Sequence, residues 1–194
     1  MIRPQTVRYR SLLMDASTAP PGLACGEWAI LGLITEQHRH GFALARLMAP
    51  GGEVGQVWAL PKPLVYRALA TLQDRGLAAP AGEERGERGP NRVLLGATPE
   101  GVAALQTWLT LPVRHLRDVR SLLMLKLALL DRVGGDPVPL LSAQRERLLP
   151  LVDALAERLA TAEGFGRTLL AWRLESARAA VRFVEAVGDA VPVG

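Results

Sequence analysis

A predicted helix carries the residues best suited to bind a charged partner. It begins near Pro61 and ends at Arg75, just before Gly76. Its apolar positions are Val65, Leu69 and Leu72, and the opposite face holds Lys62, Tyr66, Arg67, Ala70 and Gln73. Lysine and arginine neutralise phosphates or bind guanine, and a tyrosine hydroxyl can donate to a phosphate. We interpret this face as a nucleic-acid-binding surface, and the alternative is an ordinary solvated helix face.

A second group of basic residues lies in a predicted hairpin. Short strands are predicted at 77–79 and 92–95, and the polar, glycine-rich segment between them is typical of a hairpin tip. Its arginines alternate with acidic residues and give the tip no net positive charge: Arg85, Arg88 and Arg92 against Glu83, Glu84 and Glu87. We expect at least one of these arginines to contact DNA, and the alternative is a loop that pairs only with itself.

The sequence offers little for catalysis or metal binding. His38 and His40, with Glu36 nearby, lie in a predicted turn, where residues two apart do not converge as two histidines on a helix do. The pair Gly51-Gly52 lacks the lysine and hydroxyl of a phosphate-binding loop. Cys25 has no obvious neighbouring base. We therefore expect no enzymatic activity, no metal ion and no cofactor.

The composition is that of a folded protein from a reducing compartment. The chain has 194 residues, of which 49% are hydrophobic and 22% charged, and these proportions exclude wholesale disorder. Its single cysteine, Cys25, excludes an internal disulfide. The longest apolar stretch, 119–130, falls short of the roughly 18–20 residues of a membrane span, and no signal-peptide core is evident. We expect a cytoplasmic protein that does not cross a membrane.

The positive charge of the chain comes almost entirely from arginine. The net charge is +4, and Lys62 and Lys126 are the only lysines among 23 basic residues. Arginine forks match phosphates and the edges of bases. A genomic bias toward arginine explains the same composition equally well, so charge alone does not decide the function.

The pattern along the chain divides it into an arm and two domains. Residues 1–25 form a basic, proline-punctuated arm that we expect to be loosely held. Residues 26–112 predict three short helices, then the hairpin, then a helix capped by Thr98. The three helices are the apolar stretch after Gly26 and the segments 41–49 and 61–75. This order is typical of a winged helix-turn-helix, a DNA-binding domain in which the third helix enters the major groove.

Residues 113–190 are predicted to form a helical dimerisation domain, which makes the fold class mainly α. Residues 116–132 are apolar around most of the helix, as in a helix buried on several sides. Two later helices, separated by a break at 164–166 and the first kinked by Pro150, carry heptad-like seams. The seams are Leu141, Leu148, Val152, Leu155, Leu159 and Ala162, then Leu170, Leu174, Ala177, Val181 and Val184. We expect them to pack between two chains, and the alternative is a bundle within one chain.

Five short motifs, in this order, resemble those of the PadR-like transcriptional regulators, over roughly residues 26–187. They are Trp28-Ala29-Ile30-Leu31-Gly32-Leu33-Ile34, His40-Gly41-Phe42-Ala43-Leu44, Val65-Tyr66-Arg67-Ala68-Leu69, Thr98-Pro99-Glu100-Gly101 and Leu125-Lys126-Leu127-Ala128-Leu129-Leu130. Two segments depart from the family pattern. Pro61-Lys62-Pro63-Leu64-Val65 replaces a segment of small residues that bind phosphate through a hydroxyl and backbone amides, and 93–95 replaces an aromatic pair.

The resemblance implies a homodimeric winged-helix repressor that binds double-stranded DNA at an inverted repeat through its N-terminal domains. It assigns DNA contacts to His40, Tyr66 and Arg67, and more loosely to Lys62 and to the hairpin arginines. A different reading is a dimeric module that binds a ligand or a protein on a degenerate winged helix, without specific DNA binding. The two differ in whether the protein discriminates an operator from random duplex.

The resemblance also leaves room for a small-molecule effector as a partner. Phe165, Trp172 and Trp108 are the candidates to line its pocket, and the more common role of such aromatic residues is in a hydrophobic core.

Overall fold

A computed structural model describes residues 22–85 and 91–190. Within these ranges the order of elements is α1 Cys25–Glu36, α2 Gly41–Leu47, α3 Lys62–Asp74, β1 Ala78–Glu84, β2 Arg92–Ala97, α4 Pro99–Thr110, α5 Met124–Arg132, α6 Val138–Ala160 and α7 Gly164–Asp189. The predicted winged helix-turn-helix followed by helices is confirmed. Most of the predicted arm, together with Arg88, lies outside the described residues. None of the described helices is long and apolar enough to span a membrane.

Helix α1 is buried on almost every side. Its residues from Trp28 to Ile34 are all buried, so neighbouring elements cover the whole circumference. The predicted inner stripe of α3, Val65, Leu69 and Leu72, is buried as well. The ring of Trp28 stacks on that of Trp108 in α4, with 4.6 Å between centroids. A methyl group added at Gly32 would lie 2.7 Å from the side chain of Leu129, so this glycine permits the close approach of α5.

The hairpin is longer than predicted. Strand β1, expected to end at Ala79, continues to Glu84, and the register with β2 shifts between Pro80 and Gly82. Proline and glycine oppose a strand in the interior of a sheet, but this hairpin has open edges and accommodates them with a bulge. Arg39 and Leu95 exchange two backbone hydrogen bonds of 3.0 Å. The connection between α1 and α2 therefore anchors the base of the hairpin.

Helix α5 packs with the winged-helix elements. The described residues up to Leu109 form one compact unit together with Leu125–Gly135. The guanidinium of Arg132 donates to both carboxylate oxygens of Glu36, at 2.8 and 2.9 Å, and also binds Glu53. These hydrogen bonds raise the pKa of Arg132, so the group stays charged. The first compact unit thus includes α5 in addition to the winged-helix elements, and the predicted division into domains at residue 112 stays a prediction. Whether α5 also serves dimerisation stays a prediction.

The segment predicted as one helix over 116–132 contains three different kinds of helix. A 3₁₀ turn, Leu116–Asp118, and a π-helical turn, Val119–Leu123, precede α5. Apolar periodicity alone does not distinguish these turns from an α-helix, because all three place successive side chains around an axis. The prediction of a continuous α-helix was therefore wrong in its first half.

The second compact unit comprises Thr110–Met124 and the described residues from Asp136 onward. Helices α6 and α7 pack against each other through a buried cluster of Leu155, Leu170, Leu174 and Ala177, flanked by Val152, Leu159 and Ala162. Part of each predicted seam therefore meets the other within one chain, and the pairing of two chains stays a prediction. Helix α6 continues through Pro150, and α7 already begins at Gly164, so the predicted break lies earlier, at 161–163.

A buried lysine lies at the junction of α4 and α5. The side chain of Lys126 is 1% exposed, and its ammonium donates to the backbone carbonyl oxygen of Trp108. The same nitrogen lies 4.4 Å from the centre of the Trp108 ring. Burial lowers the pKa of Lys126 from 10.5 to about 7, because the protonated form loses its hydration.

This lowered pKa predicts that stability rises with pH above neutrality. Between the folded-state pKa near 7 and the unfolded value of 10.5, only the unfolded chain binds the proton, so raising the pH favours the folded state. We expect the free energy of unfolding to rise by about 1–2 kcal/mol from roughly pH 7.5 to 9. Urea unfolding at several pH values measures it. Lys126→Met should remove the rise and Lys62→Met should keep it; an identical pH dependence in both variants would contradict the assignment.

Candidate nucleic-acid interface

Helix α3 turns one face inward and the other to solvent. Val65, Ala68, Leu69 and Leu72 are buried, and Lys62, Tyr66, Arg67, Ala70 and Gln73 are exposed. The predicted separation of the two faces is therefore observed. Among the described residues, no acidic side chain forms an ion pair with Lys62 or Arg67. Both cations are accessible to a ligand with negative charge.

The first turn of α3 has few free backbone donors. Pro61 caps the helix, Pro63 has no N–H, and the amides of Leu64 and Val65 both donate to the carbonyl of Pro61, at 2.9 and 3.2 Å. At most the amide of Lys62 is left to bind an anion. The positive charge at this end of the helix is consequently that of the Lys62 side chain.

His40 caps helix α2 and reaches toward the hairpin. Its Nδ1 accepts a hydrogen bond from the amide of Ala43 at 3.1 Å, so this nitrogen carries no proton. In the neutral ring the proton is therefore on Nε2, which lies 3.4 Å from the carboxylate of Glu84 and can donate to it. Nη1 of Arg92 is also 3.4 Å from Nε2, but a protonated Nε2 cannot accept from it. The cap thus favours the contact with Glu84 over that with Arg92.

Tyr66 is fixed by close packing against the start of α2. A methyl group added at Gly41 would lie 2.6 Å from the Tyr66 ring, so only glycine allows this approach. The tyrosine is nevertheless 46% exposed. Between α3 and the hairpin lies an open groove of about 520 Å³, lined by His40, Gly41, Phe42, Tyr66, Leu69, Ala70, Gln73, Arg92, Val93 and Leu95. The groove brings three of the predicted site residues, His40, Tyr66 and Arg92, to one surface.

The hairpin supplies two described arginines and two carboxylates. Arg92 stands opposite Glu84 in the strand register, and Asn91 donates to Glu83 at 3.2 Å. Arg85 is exposed at the end of β1. The balance of charge predicted for the hairpin is therefore visible in its described part, where Arg92 faces the groove and Arg85 lies beyond the strand.

The remaining candidate residues from the sequence lie outside the groove. His38 packs on Gly96, and no group of acidic, histidine and cysteine side chains within the described residues could hold a metal ion. Trp108 is a core residue stacked on Trp28. Phe165 and Trp172 are 79% and 71% exposed, so in the single chain they line no closed pocket.

Two residues at the groove were not predicted as functional from the sequence, Phe42 and Glu84. Both are close to predicted site residues in the sequence. Phe42 belongs to the same motif as His40, and Glu84 lies in the hairpin with the arginines.

Solved structures similar to this chain include Bacillus subtilis PadR in complex with operator DNA, with a TM-score of 0.40, 22% identity and coverage of 84% of this chain and 97% of that chain. The structure of the same protein with p-coumaric acid has a TM-score of 0.37 and 22% identity, and the match covers 86% of this chain and 98% of that chain. The structure of smu.1604c from Streptococcus mutans UA159 has a TM-score of 0.40 and 16% identity, and the match covers 83% of this chain and 96% of that chain. No family model and no curated protein matches the sequence. Because all three TM-scores are below 0.5, these similarities carry no argument about function, and any proposal has to rest on the side chains of this chain.

The cap formed by His40 predicts a difference between two substitutions. His40→Ala removes the acceptor for the Ala43 amide and should lower the free energy of unfolding by about 1 kcal/mol. His40→Asn keeps a side-chain acceptor at the cap and should retain most of the stability. Urea unfolding of the two variants beside the wild type tests this. Equal destabilisation by both would show that the cap is not the contribution that His40 makes.

Proposed function

We propose that the chain is a PadR-like, sequence-specific DNA-binding transcriptional regulator that represses by occupying an inverted-repeat operator as a homodimer. The observation that carries the proposal is the exposed face of α3, where Lys62 and Arg67 have no acidic partner among the described residues and lie with Tyr66 beside a hairpin that adds Arg92. A helix of this kind, with its inner face fixed in a core, is the element that a winged helix-turn-helix inserts into the major groove.

The side chains of α3 have different roles in this proposal. Arg67, near the middle of the exposed face, can bind guanine through two parallel hydrogen bonds or neutralise a phosphate. Tyr66, held in place by Gly41, donates its hydroxyl to a phosphate. Lys62 provides the charge that the proline-containing first turn of α3 does not supply through its backbone.

His40 acts through the structure more than through a direct contact. In the free protein one ring nitrogen is used for the cap of α2 and the other faces Glu84. The DNA contact that the family resemblance assigns to His40 would require it to leave Glu84. We therefore give His40 the role of fixing α2 against the hairpin, and Arg85 that of a phosphate contact in the wing, where Arg88 is expected to act with it.

The proposal of a homodimer rests on exposed apolar side chains of α7. Phe165, Leu169 and Trp172 recur at helical spacing on one face, and the exposed fractions of Phe165 and Trp172 are the largest among the described large apolar residues. The α6–α7 seam is already satisfied within the chain. A second copy of the same face is a suitable cover, because an isologous contact buries the same side chains twice. A two-fold dimer then presents two α3 helices to an inverted repeat.

The DNA-binding function predicts a palindromic binding site and a defined effect of two residues. Selection from random duplex DNA should enrich inverted repeats whose half-site centres lie about one helical turn, or a multiple of it, apart. On the selected duplex, Tyr66→Phe and Arg67→Lys should each cost about 1–3 kcal/mol of binding free energy, since they remove the hydroxyl and the planar fork. Fluorescence anisotropy at fixed salt measures both.

Arg85→Ala is the matched control for loss of a charge outside α3. It should weaken selected and scrambled duplexes alike and reduce the slope of log affinity against log salt by about 0.9 for each protomer, or about 1.8 for the dimer. For the wild type we expect a specificity ratio above about 10³ at physiological salt. Equal affinity for selected and scrambled duplexes, with no palindromic enrichment, would contradict the proposal and favour the ligand- or protein-binding module.

The dimer proposal predicts that one charged substitution on α7 separates the chains. Trp172→Glu places a carboxylate in the apolar face, where it would lose its hydration in the dimer. In sedimentation equilibrium at micromolar concentration, the wild type should have twice the monomer mass and Trp172→Glu the 20.9 kDa mass of the monomer. Arg173→Glu, at the adjacent exposed position, is the control for charge on this helix. A monomeric wild type would contradict the dimer.

A further inference from the structure

Phe42 is a large apolar side chain exposed between two cations. It is the second residue of α2, it is 47% exposed, and it lines the groove between α3 and the hairpin. The ammonium of Lys62, from α3, lies 5.5 Å from the centre of its ring. The guanidinium carbon of Arg92, from β2, lies 5.8 Å from the same centre. Both distances are within the roughly 6 Å at which a cation is attracted to an aromatic ring.

Each cation has little else to fix its position. Among the described residues Lys62 forms no ion pair, and its flexible side chain extends from an exposed first turn. Arg92 stands opposite Glu84 in the strand register, and its Nη1 lies 3.4 Å from Nε2 of His40, a nitrogen that has no lone pair for the guanidinium when Nδ1 is the acceptor for the Ala43 amide. The Phe42 ring is therefore the surface that the two cations share.

The backbone that carries the ring is held at the start of α2. The adjacent Gly41 is packed against Tyr66, and His40 holds the start of α2 through its cap. The His40 ring lies 6.4 Å from the Phe42 ring at an angle of 21°. A rigid platform lowers the entropy that long basic side chains lose when they bind a phosphate.

We propose that Phe42 is a positioning residue that holds Lys62 and Arg92 at one place on the DNA-binding surface, so that both cations meet the same stretch of phosphate backbone. The inference rests on the proposed function and deepens it. It assigns the contribution to the aromatic face of Phe42 and to neither hydrophobic burial nor a direct contact with a base. Lys62 compensates for the missing amides of α3 only if its ammonium is kept in place, and Phe42 does this.

The contact between Lys62 and Phe42 can be tested in the free protein. The chain has only two lysines, so a spectrum of protein labelled with ¹³C at the lysine ε-carbons contains one signal from Lys62 and one from Lys126. The Lys62 ε-methylene protons should be shifted upfield by the Phe42 ring current. Phe42→Leu should abolish that shift and leave the Lys126 signal unchanged, since Lys126 lies against Trp108. A Lys62 signal at the position of a solvated lysine in the wild type would contradict the arrangement.

The effect on DNA binding is tested with the duplex selected from random DNA. Phe42→Leu, which keeps apolar volume and removes the ring, should weaken binding about 3- to 10-fold, and Phe42→Tyr should bind within about twofold of the wild type. Trp58→Leu removes an exposed aromatic residue that lies outside this cluster and should leave the affinity unchanged. The free energy of unfolding, measured in urea, should be similar in all three variants, since each position is at least a third exposed.

A double-mutant cycle assigns the loss to the two cations. In the Lys62→Ala, Arg92→Ala background, Phe42→Leu should have almost no further effect, because there is no cation left to position. Additive losses would overturn the proposal, and so would wild-type affinity in Phe42→Leu. Failure of the wild type to bind any duplex would be a different result: it would contradict the DNA-binding function, and the role of Phe42 in it, while the lysine spectrum still reports the contact.

Discussion

The burial of α1 positions every other element of the first compact unit. Because Trp28 to Ile34 are all inside, α3, α4 and α5 must each cover part of this helix. A helix hydrophobic all round is stable only in such surroundings. Covering it fixes the inner face of α3 through Val65, Leu69 and Leu72, and this in turn determines which side chains α3 exposes. The position of the polar face is thus a consequence of apolar packing.

The three residues that follow the turn after α1 hold the hairpin in place against the helices. His38 packs on Gly96, Arg39 exchanges two backbone hydrogen bonds with Leu95, and His40 caps α2 while facing Glu84. A two-stranded hairpin is marginal by itself, so these contacts at its base are needed to hold it against the helices. The groove between α3 and the hairpin has its shape because both walls are tied to the same end of α1.

The sequence was sufficient to predict elements with strong local signals. The stripe of α3, the proline and Thr98 at the start of α4, and the hairpin all follow from neighbours a few residues apart, and Gly101 does donate to Thr98 at 3.1 Å. Partners far apart in sequence were not predictable in this way. Arg132 and Glu36 are 96 positions apart, and no periodicity indicates that α5 packs with the winged-helix elements. The same holds for Phe42, whose significance arises only when α2, α3 and β2 meet.

In the proposed function, the arrangement of charge predicts that a single protomer binds DNA weakly. The first turn of α3 has at most one free amide donor, and the carboxylates Glu83 and Glu84 lie in the hairpin beside Arg92. The described part of the proposed DNA-binding surface offers only a few cations per protomer, and the aromatic platform that we propose for two of them lowers the entropic cost per contact. Joining two such surfaces makes the second contact intramolecular, so weak half-sites add up to a tight and salt-sensitive complex. In the proposed function, dimerisation is thus required for affinity as well as for the symmetry of the operator.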